Sequence, residues 1–231
     1  VAADQFALAA KLSTVVIVAV RGFQSAWPPL AYSVEDHDQA RTLYARTTTW
    51  YVAITGVLVT GVALVGPWVV RLLAGDPRFY GASEALPWIA CGWGLYGLVL
   101  VLITVGGRAM VTTRNAPAAL AGLVVNVVLL VLLVDPLGIA GAGIALCGAY
   151  LVILVVLYVL TRELFVVPFE WAGMGVTVLV CGAIALVSAL LIPDDGVGPL
   201  ALRLAIGAAL PAVLLVAGPF RLAELRALLK R

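Results

Sequence analysis

The chain has 231 residues, of which 64% are hydrophobic and 11% are charged, and its formal net charge is +2. A soluble domain is about half apolar and about a quarter charged, so this chain has too little polar surface to be a soluble enzyme or a disordered protein. The small net charge also provides no basic field that would attract DNA or RNA. The composition therefore predicts an integral membrane protein that is almost wholly embedded.

Seven apolar stretches are long enough to cross a bilayer as helices, which takes about 20 residues each. We predict spans at 5–33, 48–73, 85–106, 117–134, 138–160, 172–192 and 199–219. Turn signals separate the fourth span from the fifth at Asp135-Pro136-Leu137-Gly138, and the sixth from the seventh at Pro193-Asp194-Asp195-Gly196. Strands of a β-barrel would be about 10 residues long and would alternate in polarity. The predicted fold is therefore an all-α, polytopic membrane protein with about seven transmembrane helices.

Two cations lie within the first span, although charge inside a membrane is costly. Only nine residues, 12–20, most of them apolar, separate Lys11 from Arg21, so no placement of a continuous helix puts both at the membrane interfaces. Each charge near mid-bilayer costs about 2.5–3.5 kcal/mol unless it faces water or protein. On one helix the two lie about 80° apart and flank a face that Gln24 and Ser25 extend. We predict that these four residues line a hydrophilic cavity and bind substrate; partial snorkelling towards the interfaces is the alternative.

Pro28 and Pro29 follow this polar face and are predicted to end the first helix, because proline lacks a backbone donor. A bend that moves during transport is the alternative interpretation. The segment Glu35-Asp36-His37-Asp38 comes next and holds the one histidine of the chain. Consecutive residues do not face each other on a helix, so we predict a solvated loop there and not a metal or catalytic site.

Arg114 and Asn126, on the fourth span, are possible secondary substrate contacts. Arg114 stands at the predicted cytoplasmic start of the span, and Asn126 lies inside it. The favoured interpretation of Asn126 is a hydrogen bond to a neighbouring helix, a contact that contributes about 0.6 kcal/mol on average. In the fifth span, small residues recur at four-residue spacing, as in Gly138/Ala142 and Gly141/Ala145, which predicts a face for close helix packing.

The three cysteines, Cys91, Cys147 and Cys181, all lie in apolar runs and form no C-x-x-C pair. We interpret them as small core residues and expect no metal site, no cofactor and no catalytic centre. A membrane-embedded glycosyltransferase would need carboxylates or a histidine in a substantial outer loop. The predicted outer loops are short and contain no histidine.

The distribution of Lys and Arg among the short loops predicts the orientation of the chain. Nine basic residues fall on one predicted side: Arg41, Arg46, Arg108, Arg114, Arg162, Arg221, Arg226, Lys230 and Arg231. Three fall on the other: Arg71, Arg78 and Arg203. We therefore predict that the C terminus is cytoplasmic and that the N terminus lies outside.

Three parts of the chain carry a family resemblance. The first part is Phe6-Ala7-Leu8-Ala9-Ala10-Lys11-Leu12 with Gly22-Phe23-Gln24-Ser25-Ala26-Trp27-Pro28-Pro29-Leu30-Ala31-Tyr32-Ser33. The second is Leu73-Ala74-Gly75-Asp76-Pro77-Arg78-Phe79-Tyr80-Gly81-Ala82-Ser83. The third is Arg114-Asn115 with Asn126 and Asp135-Pro136-Leu137-Gly138-Ile139-Ala140-Gly141-Ala142-Gly143. In this order they resemble the eighth helix, an external loop and a later segment of bacterial oligosaccharide flippases. These are the polysaccharide-biosynthesis exporters of a superfamily that also contains multidrug exporters and the lipid II flippase. The resemblance covers most of the chain.

The resemblance implies a fold of twelve to fourteen helices in two pseudo-symmetric lobes, of which this chain would supply helices eight to fourteen. Residues 1–161 would be the C-terminal transport lobe, with five helices and its first helix missing. Residues 162–231 would be an additional helix pair with a basic cytoplasmic tail. The missing N-terminal lobe, or a second copy of the chain, would be the partner.

The function implied by the resemblance is export by alternating access, in a bacterial plasma membrane. The substrate would be a polyprenyl-diphosphate-linked oligosaccharide for cell-surface polysaccharide synthesis, handled in contact with membrane lipid. Export of a different substrate by the same fold is the nearest alternative. A non-transporting membrane scaffold is a further one.

Overall fold

The computed structural model describes residues 2–217, with side chains from residue 4 to residue 215. The helices are α1 (Ala2–Leu12), α2 (Thr14–Ser33), α3 (His37–Ala74), α4 (Ala82–Arg108), α5 (Asn115–Thr161), α6 (Trp171–Leu191) and α7 (Val197–Ala217). Short 3-10 turns at Pro77–Phe79 and Thr112–Arg114 precede α4 and α5. Residues 2–217 contain no β-strand, so the predicted all-α fold is confirmed. The predicted basic tail, with Arg221, Arg226, Lys230 and Arg231, lies outside the described residues.

α5 is a helical hairpin and not one straight helix. Its 47 residues would extend about 70 Å as a rod, more than twice the thickness of a bilayer core. The backbone of Gly138 has φ 56° and ψ −135°, and the chain reverses there. A Cβ atom on Gly122 would lie 2.3 Å from Ile153, and one on Gly148 would lie 2.3 Å from Leu129. The two halves are therefore antiparallel neighbours, which confirms the predicted turn.

The hairpin adds one to the number of candidate spans. α3, α4, α5, α6 and α7 are each long and apolar enough to span a membrane, and α1 with α2 passes the same test as a bent pair, which is either a broken span or a re-entrant loop. With the bent pair counted as one span and the α5 hairpin as two, the described residues hold seven candidate spans, the predicted number, and successive spans run between two ends of the bundle. We call these the Arg114 end, where Arg108, Arg114 and Arg162 lie, and the Gly138 end, where the α5 hairpin turns.

The first span is broken, whereas the sequence predicts one helix over 5–33. The break falls at Ser13, and α1 and α2 meet there at 52°. Ser13 is fully buried; its Oγ donates to the Ala9 carbonyl at 2.9 Å and lies 3.5 Å from the Leu86 carbonyl of α4. Contact with a helix that is distant in sequence therefore fixes the bend, and hydrophobic periodicity does not record such a contact.

The prediction that Pro28 and Pro29 end this helix is wrong. α2 continues through both prolines to Ser33. A proline inside a helix removes one backbone hydrogen bond. On either side of the pair, however, Trp27 and Ala31 are buried in an apolar cluster with α3 and α4, which holds the flanking turns in place.

α3 begins at His37, well before the predicted start at 48. Asp36 is its N-cap: the Oδ1 atom accepts from the backbone N–H groups of Asp38, at 3.0 Å, and Gln39, at 2.8 Å. Asp38 lies in the first turn, where a negative charge is favourable, and pairs with Arg41 at 3.1 Å. The predicted solvated loop is therefore wrong in part, because this acidic segment starts a helix.

α3 and α4 form the centre of the bundle. α4 packs against α1, α2, α3 and α5, whereas α3 also contacts α6 and α7. A Cβ atom on Gly56 of α3 would lie 3.1 Å from the Cys181 Sγ of α6, and one on Gly207 of α7 would lie 3.5 Å from Leu64 of α3. The helix pair predicted as a separate C-terminal element thus packs directly on α3. The division at residue 161 stays a prediction.

The small-residue face predicted in the second half of α5 is confirmed in part: Gly138 is exposed at the turn, with no atom within 4 Å of a Cβ at that position, whereas the residues after it pack closely. Gly141 faces the first half, where a Cβ atom would lie 2.2 Å from the Leu133 carbonyl oxygen. Gly143 faces α4, where a Cβ atom would lie 2.7 Å from the Trp88 Cβ. Ala145 is fully buried. This half of α5 is therefore packed between the first half and α4.

Gly97→Ala is expected to destabilise the protein by about 1–3 kcal/mol through overpacking. A Cβ atom at Gly97 would lie 1.8 Å from the Tyr51 Oη, and that hydroxyl is held by donation to the Gly94 carbonyl at 2.9 Å. The measurement is thermal unfolding in detergent. Gly61→Ala, where no atom lies within 4 Å, is the control and should be neutral or slightly stabilising. Equal stability of the two variants would contradict the close packing of α3 on α4.

The orientation of the bundle is testable by cysteine labelling. We expect a cysteine at Pro77 to react with an impermeant maleimide from outside, and one at Thr113 to react only after the membrane is opened. Both positions are exposed in the structure and lie at opposite ends. The background has the buried or half-buried Cys91, Cys147 and Cys181 replaced by alanine. Labelling of both sites from the same side, or the reverse pattern, would contradict the predicted orientation.

Candidate substrate-binding face

One side of the first span is buried against the bundle. Val16, Val20 and Trp27 are at most 1% exposed. Phe23 extends the contact to α3, with its ring centroid 4.5 Å from that of Tyr51. Apolar packing on this side therefore fixes which residues of α2 point away from the bundle.

The opposite side of the span is exposed and carries the four residues that the sequence predicts as a binding site. Lys11 lies in α1, and Arg21, Gln24 and Ser25 lie in α2. All four side chains are exposed. We call these four residues the cationic face.

The two cations of this face have no counter-charge in the described part of the chain. Neither Lys11 nor Arg21 makes a side-chain hydrogen bond or ion pair with any residue that the structure describes. Ser25 is different, because its hydroxyl donates to the Arg21 carbonyl at 3.0 Å. The Ser25 oxygen therefore remains available as an acceptor, while its proton is in use.

Arg21 lies far from the end of α2 at the Arg114 end. The helix ends at Ser33, twelve residues beyond Arg21, which corresponds to about 18 Å of rise. The angle of about 80° to Lys11 applies to a continuous helix and is wrong here, because the break at Ser13 lies between the two residues. Lys11 instead lies on α1, a separate helical segment before the break.

The two prolines add acceptors to the cationic face. Because Pro28 and Pro29 have no N–H group, the carbonyls of Gln24 and Ser25, four residues earlier, lose their helical donors. Helical membrane proteins tolerate such carbonyls where water or protein groups can satisfy them. The face therefore offers cationic donors beside free backbone acceptors, a combination that suits a polar, anionic ligand.

Arg108 holds the end of α2 in place, a role that the sequence does not reveal. Its guanidinium donates to the carbonyls of Ala31 at 3.1 Å, Val34 at 2.7 Å and Glu35 at 3.1 Å. These are carbonyls at and beyond the last turn, which lack helical donors. The guanidinium carbon also lies 5.5 Å from the centroid of the Phe165 ring. Arg108 is thus a structural cap and not part of the cationic face.

The possible secondary residues lie elsewhere. Arg114 donates to the Leu160 carbonyl, which joins the start of α5 to its end. Asn126 is half-buried on the first half of α5. No hydrogen bond among residues 4–215 connects either of them to the cationic face. Arg114 therefore has a structural contact, and a role for Asn126 in ligand contact stays a prediction.

A buried cation lies at the Gly138 end. Arg203 of α7 is 2% exposed, and its guanidinium lies 2.6 Å from the Asp194 carboxylate and 5.0 Å from the Trp68 ring centroid. It also donates to the carbonyls of Leu64 at 3.4 Å and Ser188 at 3.2 Å. Arg203 therefore joins α7 to α3 and to the end of α6. The sequence contained one signal for this role, because Arg203 lies inside the seventh predicted span.

Arg78 and Asp76 form an exposed pair in the turn between α3 and α4. The Arg78 Nη2 lies 2.7 Å from the Asp76 Oδ2. Hydrogen bonds from Arg78 hold the pKa of Asp76 below its usual value. Arg78 is thus an exposed cation that already has a partner, unlike the two cations of the cationic face.

Comparison with family models, curated proteins and solved structures finds no match to this chain. The functional argument therefore depends on the residues and geometry described above.

Proposed function

We propose that this chain forms one wall of an exporter that flips a polyprenyl-diphosphate-linked oligosaccharide across the membrane. The observation that supports the proposal is the cationic face, where Lys11 and Arg21 lack partners among the described residues. A cation inside a membrane requires water or a counter-charge. An anionic head group that crosses the membrane along this face would supply the counter-charge.

The chemistry of the face suits a diphosphate. A diphosphate cannot enter hydrocarbon unpaired. A guanidinium can bind it through two parallel hydrogen bonds, and an ammonium can bind it as a point charge. The sugar hydroxyls can donate to the free carbonyls of Gln24 and Ser25, while the polyprenyl tail remains in lipid. An inside-negative potential drives an anion outward by about 2.3 kcal/mol per charge per 100 mV.

The proposal requires a second wall. With the opposite side of α2 packed on α3 and α4, the cationic face is open to whatever lies beside the bundle. If lipid lay there, each charge would cost about 2.5–3.5 kcal/mol. A second lobe, or a second copy of this chain, would enclose a water-filled cavity instead. Rocking of the two walls would then expose the cavity to each side in turn.

The direct test is flipping in proteoliposomes that contain the full-length protein. Two probe lipids carry the same oligosaccharide, one through a polyprenyl diphosphate and one through a neutral glycerol linkage. We expect the protein to make only the diphosphate probe accessible to an impermeant reagent that oxidises sugars, and to do so faster under an inside-negative potential. Flipping of neither probe above protein-free liposomes, or equal flipping of both, would refute the proposal.

A further inference from the structure

A wide apolar groove opens at the Arg114 end, between α3, α4, α5 and α6. Its cavity measures about 390 Å³, and its exposed lining surface is entirely apolar. The residues that line it include Thr48, Leu98, Leu102, Val155, Tyr158 and Met174. The hydroxyl of Thr48 is used internally, because it donates to the Tyr44 carbonyl at 2.7 Å.

We expect this groove to be neither filled with water nor left empty. Folded proteins contain few voids larger than one water molecule, and this one has the volume of roughly thirteen waters at about 30 Å³ each. An ordered water needs two or more polar partners, which the apolar lining does not provide. Because Val155 on its edge is 61% exposed, the groove is open to the hydrocarbon around the bundle. A hydrocarbon chain is therefore the occupant that fits the lining.

A rim that contains one arginine, Arg162, adjoins the groove. A smaller cavity of about 50 Å³ shares Leu102, Tyr158 and Phe169 with the large one and adds Arg162 to the lining. Arg162 is exposed, and its side chain makes no hydrogen bond or ion pair with any residue between 4 and 215. The neighbouring carboxylates, Glu163 and Glu170, line neither cavity.

Aromatic side chains mark the depth of this rim. Trp171 is 57% exposed, and its ring centroid lies 5.0 Å from that of Tyr158 and 5.4 Å from that of Phe169. Such clusters of Trp and Tyr are typical of the boundary between hydrocarbon and head groups. The groove therefore lies at acyl-chain depth, while Arg162 lies at head-group depth.

We propose that this groove binds an anionic glycerophospholipid of the leaflet at the Arg114 end, with one acyl chain in the cavity and its phosphate on Arg162. A guanidinium without a protein partner is complementary to a lipid phosphate and can bind it through two hydrogen bonds. Basic pockets between membrane helices on the cytoplasmic side are known to bind such head groups. No residue of α1 or α2 lines the groove, so this site is separate from the cationic face.

The test is photo-crosslinking of the full-length protein in vesicles, followed by peptide mapping. Two probes carry a diazirine on the acyl chain, one phosphatidylglycerol and one phosphatidylcholine. We expect phosphatidylglycerol to label peptides that contain Leu154, Val155 or Met174 about tenfold more than phosphatidylcholine does. Arg162→Gln should remove this tenfold preference, because both probes carry a phosphate but only phosphatidylglycerol has a net negative charge for the guanidinium to attract. Arg46→Gln, an exposed arginine at the same end that does not line the groove, should leave it unchanged.

A second pair of variants tests the cavity. Val155→Trp should fill the groove and abolish labelling by both probes. Val159→Trp, one turn further along α5, exposed and outside the lining, should have no effect. Size-exclusion chromatography checks that each variant is folded. Equal labelling by both probes in the unmodified protein would overturn the proposal. So would displacement of phosphatidylglycerol by equimolar polyprenyl diphosphate, because the groove would then hold the substrate tail.

Discussion

Lys11→Gln and Arg21→Gln should each weaken binding of a polyprenyl-diphosphate-linked oligosaccharide by roughly ten- to a hundred-fold. Each substitution removes a charge-assisted contact of about 1.5–3 kcal/mol, and each 1.4 kcal/mol corresponds to a tenfold change in affinity. Neither cation has a protein partner among the described residues, so no salt bridge is lost with it. Binding to the full-length protein in nanodiscs is the measurement, together with export.

The chemical nature of the contact at Arg21 can be resolved further. Arg21→Lys keeps the charge and loses the planar fork, so its effect should fall between those of the unmodified protein and Arg21→Gln. Arg78→Gln is the matched control: its side chain is exposed at the Gly138 end and already paired with Asp76, and such surface pairs contribute little. If Lys11→Gln and Arg21→Gln both bind and export the substrate normally at normal expression, the two cations are interface anchors and the cavity hypothesis is wrong.

Arg203→Met should lower the free energy of unfolding by about 1–3 kcal/mol, the cost of leaving a buried polar group without its hydrogen-bond partner. Arg203 is 2% exposed, whereas its partner Asp194 is 53% exposed, so the carboxylate that is left behind stays solvated. The carbonyls of Leu64 and Ser188 would lose their donor in a region shielded from water. For a chain of this size, 1 kcal/mol corresponds to about 2–4 °C in Tm, so thermal unfolding in detergent should register a large decrease.

Two control variants separate the effect of burial on stability from the effect of removing a charge. Arg162→Met removes an exposed cation that has no partner among residues 4–215 and should change Tm little. Arg71→Met removes a half-buried cation that donates to the Asp194 backbone carbonyl at 2.5 Å, and its effect should be intermediate. An Arg203→Met protein with the Tm of Arg162→Met would show that α7 does not depend on this cluster.

The spans could be predicted from the sequence because length and hydropathy determine them. The α5 hairpin illustrates this, since two apolar runs and the turn residues that end at Gly138 specify it locally. Lys11 and Arg21 are exposed opposite the apolar residues that pack, and the binding of a substrate by this face stays a prediction. These features depend on residues close together in the sequence.

Other features could not be predicted because they depend on contacts between distant residues. The bend at Ser13 involves the carbonyl of Leu86, 73 residues away, and Arg203 contacts Leu64 across 139 residues. The early start of α3 was different, because the N-cap at Asp36 is a local signal. A start placed by hydropathy alone overlooks such a cap when the first turns of a helix are polar.

The contacting residues of the α5 hairpin are close together in the sequence, and this affects the order in which the helices pack. Its halves meet through Gly148 and Leu129, which lie close in the sequence, and contacts between near neighbours form fastest. The hairpin can therefore close in the bilayer before α6 has been synthesised. α3 must wait for α6 and α7. In the folded bundle the Thr60 hydroxyl lies 3.4 Å from the Cys181 carbonyl, and it lacks this acceptor until α6 has been inserted. This side of α3 is therefore the last to be covered.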